Sequence, residues 1–182
     1  AREHAIIKSL DKSKKEKEIY CLASNNNPGI SNICNELKIV DINNSEIIKD
    51  YSIKQSINIA IIGPENPLAY GVADSLWEAG IGVIGPKKNL AQIETSKSFT
   101  RNLLKEYKIP GCPKFKTFTN MEGVEDFLSL LGDNYVVKYD GLAGGKGVKV
   151  AGDHLHSHEE ALSYCKELIE SGGHFVIERK LI

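Results

Sequence analysis

The chain has 182 residues, enough for one large domain or two small ones. Hydrophobic residues make up 41% and charged residues 26%, the balance of an ordinary globular chain, and the net charge is −1. That charge leaves no basic field for nucleic acid or an anionic membrane surface, and no apolar run approaches the roughly 20 residues of a membrane span.

The chain opens on a polar stretch, Ala1-Arg2-Glu3-His4, without the pattern of a secretory leader. A helical pattern follows at once, over about residues 2–10, with no strand before it. The chain stops at Leu181-Ile182 just after an apolar run, so both ends suggest a piece of a longer protein. Cys21, Cys34, Cys112 and Cys165 are scattered and show no ligand spacing. The expectation is reduced thiols and a cytoplasmic location. Lys12 to Lys17 reads as a solvated helix end.

The first half alternates short apolar runs with amphipathic stretches. Residues 19–23, 39–40, 57–62 and 81–84 read as strands, and the last two close on Gly63-Pro64 and Gly85-Pro86. Helical patterns lie over 46–55 and 67–79. In the second of these, Asn66 is the expected cap, Pro67 takes the first helical position, and Leu68, Val72, Leu76 and Ala79 share a face. Strands alternating with helices predict a parallel sheet.

A short helix near residues 89–92 and another over 96–107 mark a change of grammar, and the domain boundary is expected near residue 95. Beyond it come a strand at 114–118, a helix at 120–131 with a Thr119/Glu122 capping box, and strands at 135–138 and 148–151. A helix from Ser157 to about Ser171, with a Ser157/Glu160 box, leads to a last strand at 174–178. The expected fold is α/β: a parallel-sheet, Rossmann-like domain over 1–95, then a small antiparallel α+β lobe over 96–182 with a mobile glycine loop.

The strongest chemical signal is Val137-Lys138-Tyr139-Asp140-Gly141-Leu142-Ala143-Gly144-Gly145-Lys146-Gly147-Val148. Four glycines in seven positions let backbone N–H groups converge, and Lys138 and Lys146 add cations, which suits a polyphosphate. A P-loop is excluded, because Asp140 holds the first glycine position and Gly147 replaces the hydroxyl residue. A dinucleotide fingerprint is excluded because a strand, not a helix, follows. Taken alone, the segment also fits a hairpin turn with surface lysines. Two weaker signals are Lys97 and Arg101, four apart on one helix, and the apolar run 175–177 ending in Glu178. His154, His156 and His158 alternate like metal ligands, but a cap at Ser157 would break that spacing, so no metal site is expected in this chain.

Order and spacing together carry more. Ser96-Lys97 on a helix, then the 137–148 motif, then Val176-Ile177-Glu178 followed by Leu181, resembles the small lobe of ATP-grasp enzymes. Gly63-Pro64-Glu65-Asn66-Pro67-Leu68 and Arg2-Glu3-His4-Ala5 narrow the resemblance to the phosphoribosylamine–glycine ligase family. The resemblance implies that Lys97 and Lys138 contact ATP phosphates. It implies that Gly141, Leu142, Ala143, Gly144, Gly145, Lys146, Gly147 and Val148 form a closing loop, and that Glu178 and Leu181 lie at the adenine. Arg2, Glu3, Asn27, Pro28, Gly29, Gly63, Pro64 and Glu65 would line the phosphoribosylamine site.

ATP, Mg2+ (or Mn2+), glycine and 5-phosphoribosylamine are the implied cofactors and substrates. The magnesium and glycine ligands are expected beyond residue 182, so the chain alone is expected to be inactive. Several positions depart from the family pattern. The opening strand and glycine-rich turn are absent, Ala1 stands at the last turn glycine, and Ile30 stands in place of Asn. Gly144 stands in place of Ala, and Arg179-Lys180 replaces an acidic–aromatic pair. The alternatives are another ATP-grasp carboxylate–amine ligase or carboxylase, and a non-catalytic nucleotide-binding module.

Overall fold

The computed structural model describes residues 2–181; the departure noted at Ala1 lies outside them. The chain forms two compact units, residues 1–91 and 92–182. Among the described residues no helix is long and apolar enough to cross a membrane.

The first unit runs α1 (Arg2–Asp11), β1 (Tyr20–Ala23), α2 (Pro28–Ser31), β2 (Glu36–Ile39), α3 (Ser45–Lys54), β3 (Ile59–Ile61), α4 (Glu65–Ala69), α5 (Val72–Glu78), β4 (Gly82–Ile84) and α6 (Lys88–Thr95), the last of which reaches into the second unit. β1 pairs with β2 and β3 with β4, both parallel, as the alternating pattern predicts. Ile48 of α3, Val72 and Leu76 of α5, and Ile81 make the core, with Leu22, Val40, Ala60, Ile62 and Val83 packed against it.

The expected single helix over 67–79 is two helices. Tyr70 N–H donates to Asn66 O at 3.1 Å and closes α4, and Gly71 sits at φ +80° before α5 begins. Only glycine takes that left-handed backbone without strain. The break leaves Val72 and Leu76 buried, so the apolar spacing survives while the helix does not. The sequence reading missed α2, which has one turn, and Pro64 rather than Asn66 stands at the cap of α4.

In the second unit, α7 (Lys97–Glu106) precedes β5 (Phe115–Phe118), α8 (Val124–Leu131), β6 (Tyr135–Tyr139), β7 (Val148–Val150), α9 (His158–Glu170) and β8 (Phe175–Arg179). The four strands form one antiparallel sheet in the order β5-β8-β6-β7. The expected glycine hairpin is the β6–β7 pair. Ser157 caps α9, accepting from Glu160 N–H at 3.1 Å, and Glu160 Oε2 reaches back to His156 N–H at 2.7 Å. The other expected box fails: Asn120 accepts from Glu122 N–H at 2.9 Å in a side-chain turn, so α8 starts only at Val124.

Alternation along the strands sorts the two faces. Tyr135, Val137, Phe175, Ile177 and Phe118 point to one face, where Val124, Leu128, Leu131, Ala161 and Cys165 of α8 and α9 bury them. Phe118 stacks on Phe175 with ring centres 5.3 Å apart. Each such side chain contributes about 1.5–3 kcal/mol on burial. The other face carries Val136, Lys138, Val176 and Glu178, and α7 packs on it.

Candidate functional site

β6 places Lys138 opposite Val176, and Val136 opposite Glu178, so lysine and glutamate stand on one face of adjacent strands. Glu178 is 4% exposed. Its carboxylate ion-pairs with Lys138 Nζ through one oxygen, and the other accepts from Arg101 Nε at 2.7 Å. Burial pushes the Glu178 carboxyl up, but hydrogen bonds from Arg101 and Lys138 outweigh it and hold the group below the ordinary value of 4.5. Arg101 is raised by the same bond.

The end of β6 is tied to the start of α7. Lys97 Nζ donates to Gly141 O at 2.8 Å, and the Asp140 carboxylate accepts from Lys97 N–H at 2.6 Å and Ser98 N–H at 3.2 Å. Burial lowers the Lys97 ammonium below its ordinary value; Asp140 opposes that, and repulsion from Lys138 adds to it. Lys97 on α7 and Lys138 on β6 thus both stand at the root of the glycine loop.

The loop itself is shallowly anchored. Tyr139 N–H donates to Gly147 O at 2.7 Å at the root, and Lys146 N–H donates to Ala143 O at 3.0 Å in the turn. Gly144, Gly145 and Lys146 are exposed, and Gly144 and Gly145 take φ +55° and +81° with no neighbour within 4 Å of where a Cβ would stand. Val148 starts β7 beside Lys138, whereas Leu181 is 68% exposed, past the end of β8.

In the first unit the expected residues gather from three places. Asn27 caps α2 by accepting from Gly29 N–H at 3.0 Å and Ile30 N–H at 3.3 Å, with Pro28 at the first helical position. A Cβ on Gly29 would come within 2.3 Å of His4 Cε1 of α1, and a Cβ on Gly63 within 2.8 Å of Glu3 Cγ. Pro64 and Glu65 begin α4, and Arg2 Nη2 donates to Glu65 Oε2 at 3.1 Å. Backbone N–H groups hold the Glu3 and Glu65 carboxyls below their ordinary range, with Arg2 adding to this. The result is a cluster of two carboxylates and a guanidinium at the carboxyl ends of β1 and β3, where open α/β sheets take ligands.

The model for "Phosphoribosylglycinamide synthetase, N domain" matches residues 1–94, and that for "Phosphoribosylglycinamide synthetase, ATP-grasp (A) domain" matches residues 95–182. The chain belongs to the phosphoribosylglycinamide synthetase family. Phosphoribosylamine–glycine ligase of Methanosarcina barkeri is 46% identical over 181 residues, covering 100% of this chain and 41% of that protein. The namesake from Methanocaldococcus jannaschii is 45% identical over 188 residues, covering 100% and 42%. The chain therefore spans about two fifths of the length of the curated relatives it matches.

Among solved structures, phosphoribosylamine–glycine ligase from Thermotoga maritima superposes with a TM-score of 0.73 at 24% identity, covering 100% of this chain and 42% of that one. N5-carboxyaminoimidazole synthetase from Staphylococcus aureus, complexed with ADP, superposes at 0.71 with 12% identity, covering 100% and 44%. At these identities the likeness speaks for the fold.

Within this synthetase-family fold, Lys97, Lys138, Glu178 and the 141–148 segment come together on one unit, and Arg2, Glu3, Asn27 to Gly29 and Gly63 to Glu65 on the other. Leu181 lies exposed beyond the end of β8. Sequence reasoning missed Asp140 and the two serines that meet it, and gave Arg101 little weight. The available signal was an acid directly after a lysine-bearing strand. His154 Nδ1 accepts from Val150 N–H at 3.3 Å, and His158 lies 3.2 Å from Gly132 O, edge-on to Tyr135. Among the described residues no group of three or more His, Cys, Asp or Glu could hold a metal ion.

Proposed function

We propose that the full-length protein couples glycine to 5-phosphoribosylamine, forming glycinamide ribonucleotide in de novo purine synthesis while ATP becomes ADP and phosphate. Family membership and the relatives' names support this reading. The observation that carries it is the placing of Lys97, whose Nζ donates to Gly141 O at 2.8 Å, and of Lys138, near the end of β6, at the root of a glycine loop whose Gly144 and Gly145 are exposed.

In this reading residues 1–95 are the domain that binds phosphoribosylamine, and 96–182 are the lobe that binds ATP. The glycine carboxylate attacks the γ-phosphorus, releasing ADP, and forms glycyl phosphate. The amine of phosphoribosylamine then attacks the acyl carbon, and phosphate leaves. Lys97, Lys138 and Lys146 would hold the phosphate oxygens as charge moves, with Gly141 to Val148 closing over them. Glu178 and Leu181 would border the adenine. Arg2, with the helix start at Glu65, suits the phosphate of phosphoribosylamine, while Glu3 and Glu65 suit its hydroxyls and amine. Mg2+ or Mn2+ would neutralise charge on the polyphosphate. Its ligands, and those for glycine, are assigned to the part of the family's length that this chain does not span. Four free cysteines, of which Cys165 is pushed up to about 12 by burial, suit the reducing cytoplasm.

The full-length protein is expected to release ADP only when glycine and phosphoribosylamine are both supplied, and the 182-residue chain alone is expected to release none. ADP release by the full-length protein with bicarbonate in place of glycine would favour a carboxylase. No turnover with any carboxylate would favour a nucleotide-binding module.

The loop gives a second test. Ordering each of its residues costs about 1–2 kcal/mol, which phosphate contacts would have to offset. Hydrogen exchange over 141–147 in the full-length protein is expected to slow on adding an ATP analogue with magnesium. Equal, strong protection with and without nucleotide would identify a rigid turn and remove the lid.

A further inference from the structure

Asp140 follows the last paired residue of β6, and its carboxylate gathers donors from three consecutive residues of another element. It accepts from Lys97 N–H at 2.6 Å, Ser98 N–H at 3.2 Å, Ser96 Oγ at 3.2 and 3.4 Å from its two oxygens, and the Ser98 hydroxyl. α7 already has a cap of its own, because Ser96 Oγ accepts from Phe99 N–H at 3.1 Å. Asp140 takes the two N–H groups that this cap leaves over. The returning contact runs from Lys97 Nζ to Gly141 O at 2.8 Å, and Asp140 N–H donates to His174 O at 2.8 Å, just before β8. The backbone of Asp140 and Gly141 is therefore fixed to the residue before β8 through the Asp140 N–H and to Lys97 through the Gly141 carbonyl. An ordinary cap would need one of these bonds; the full set closes a ring around the backbone and the ammonium of a single lysine.

We propose that Asp140 is the positioning residue for Lys97: by clamping residues 96–98 to the loop root it aims the Lys97 ammonium at the polyphosphate. This rests on the ATP reading above. A helix cap would stabilise α7 whatever stood at position 97, whereas a positioning residue acts only while the lysine is there.

The test is a double-mutant cycle in the full-length protein, reading the KM for ATP with kcat. Asp140→Ala is expected to raise KM about tenfold or more, the scale of one lost charge-assisted contact. Asp140→Asn, which keeps a carbonyl oxygen for the two N–H groups, should recover most of that loss. In a Lys97→Met background Asp140→Ala should change KM by less than about twofold, because what it positions is gone. Should Asp140→Ala not fold, Ser98→Ala replaces it in the same cycle, with a smaller KM rise that again vanishes beside Lys97→Met. Effects that multiply in the double variant, or a wild-type KM in Asp140→Ala, overturn the proposal. A wild-type KM and kcat in Lys97→Met would instead overturn the ATP role of Lys97, and the positioning role with it.

Discussion

Lys138→Ala in the full-length protein is expected to raise the KM for ATP and lower turnover, by about 10- to 150-fold in kcat/KM. That range corresponds to losing one charge-assisted contact to phosphate, roughly 1.5–3 kcal/mol. The fold should survive, and the structure says why. Glu178 keeps Arg101 as a partner when Lys138 is gone, so no buried carboxylate is left alone. Steady-state kinetics with varied ATP read both quantities. An unchanged KM together with an unchanged kcat would take Lys138 out of the site, whatever its place beside the loop.

Glu178→Ala is expected to act the other way, on stability before chemistry. It leaves Lys138 and Arg101 facing each other without the carboxylate between them. Breaking a buried pair from one side costs about 3–5 kcal/mol, and the lower end applies because both cations are 23% exposed and water can reach them. The pH dependence follows from the depressed carboxyl. A group whose folded value lies below its unfolded one stabilises fully above the unfolded value and loses that stabilisation as pH falls through the folded value. Protection of β6 and β8 against hydrogen exchange should thus weaken as pH drops below 4.5, and Glu178→Gln should flatten that decline. Acid sensitivity equal to wild type in Glu178→Gln would mean that another carboxylate governs it.

What the sequence made legible was local. Alternating apolar runs, the glycines after Asp140 and the Ser157 box are patterns over a few residues, and the strands, hairpin and helix they foretold are present. Gly71 shows the limit of periodicity. Leu68, Val72 and Leu76 keep helical spacing across a break, because two short helices can bury the same face as one long one. The carboxylate contacts were illegible for a different reason. Asp140 meets Ser96 across 44 residues of chain, and Glu178 meets Arg101 across 77. Nothing in the composition near either acid announces its partner; the packing of α7 against the sheet creates these pairs. Lys138 was picked out by the glycine motif and Lys97 by its helix spacing, the family resemblance implied their phosphate role, and the bond from Lys97 to Gly141 became visible only with coordinates.

The strand order also sets a timetable for synthesis. Among the described residues β5 pairs with β8 alone, which is made last of the four. When Phe115 to Phe118 leave the ribosome, their partner is still unmade. The ~57 residues between Phe118 and Phe175 take roughly 3–12 s to add at about 5–20 residues per second. The β6–β7 hairpin can close during that wait, but the sheet cannot. The arrival of β8 between β5 and β6 would complete both ladders, bury Phe175 and Ile177, and bring Glu178 to its two cations. A ribosome pause before residue 175 would prolong the exposure of a nascent edge carrying two phenylalanines, which is where a cotranslational chaperone would be of most use to this chain.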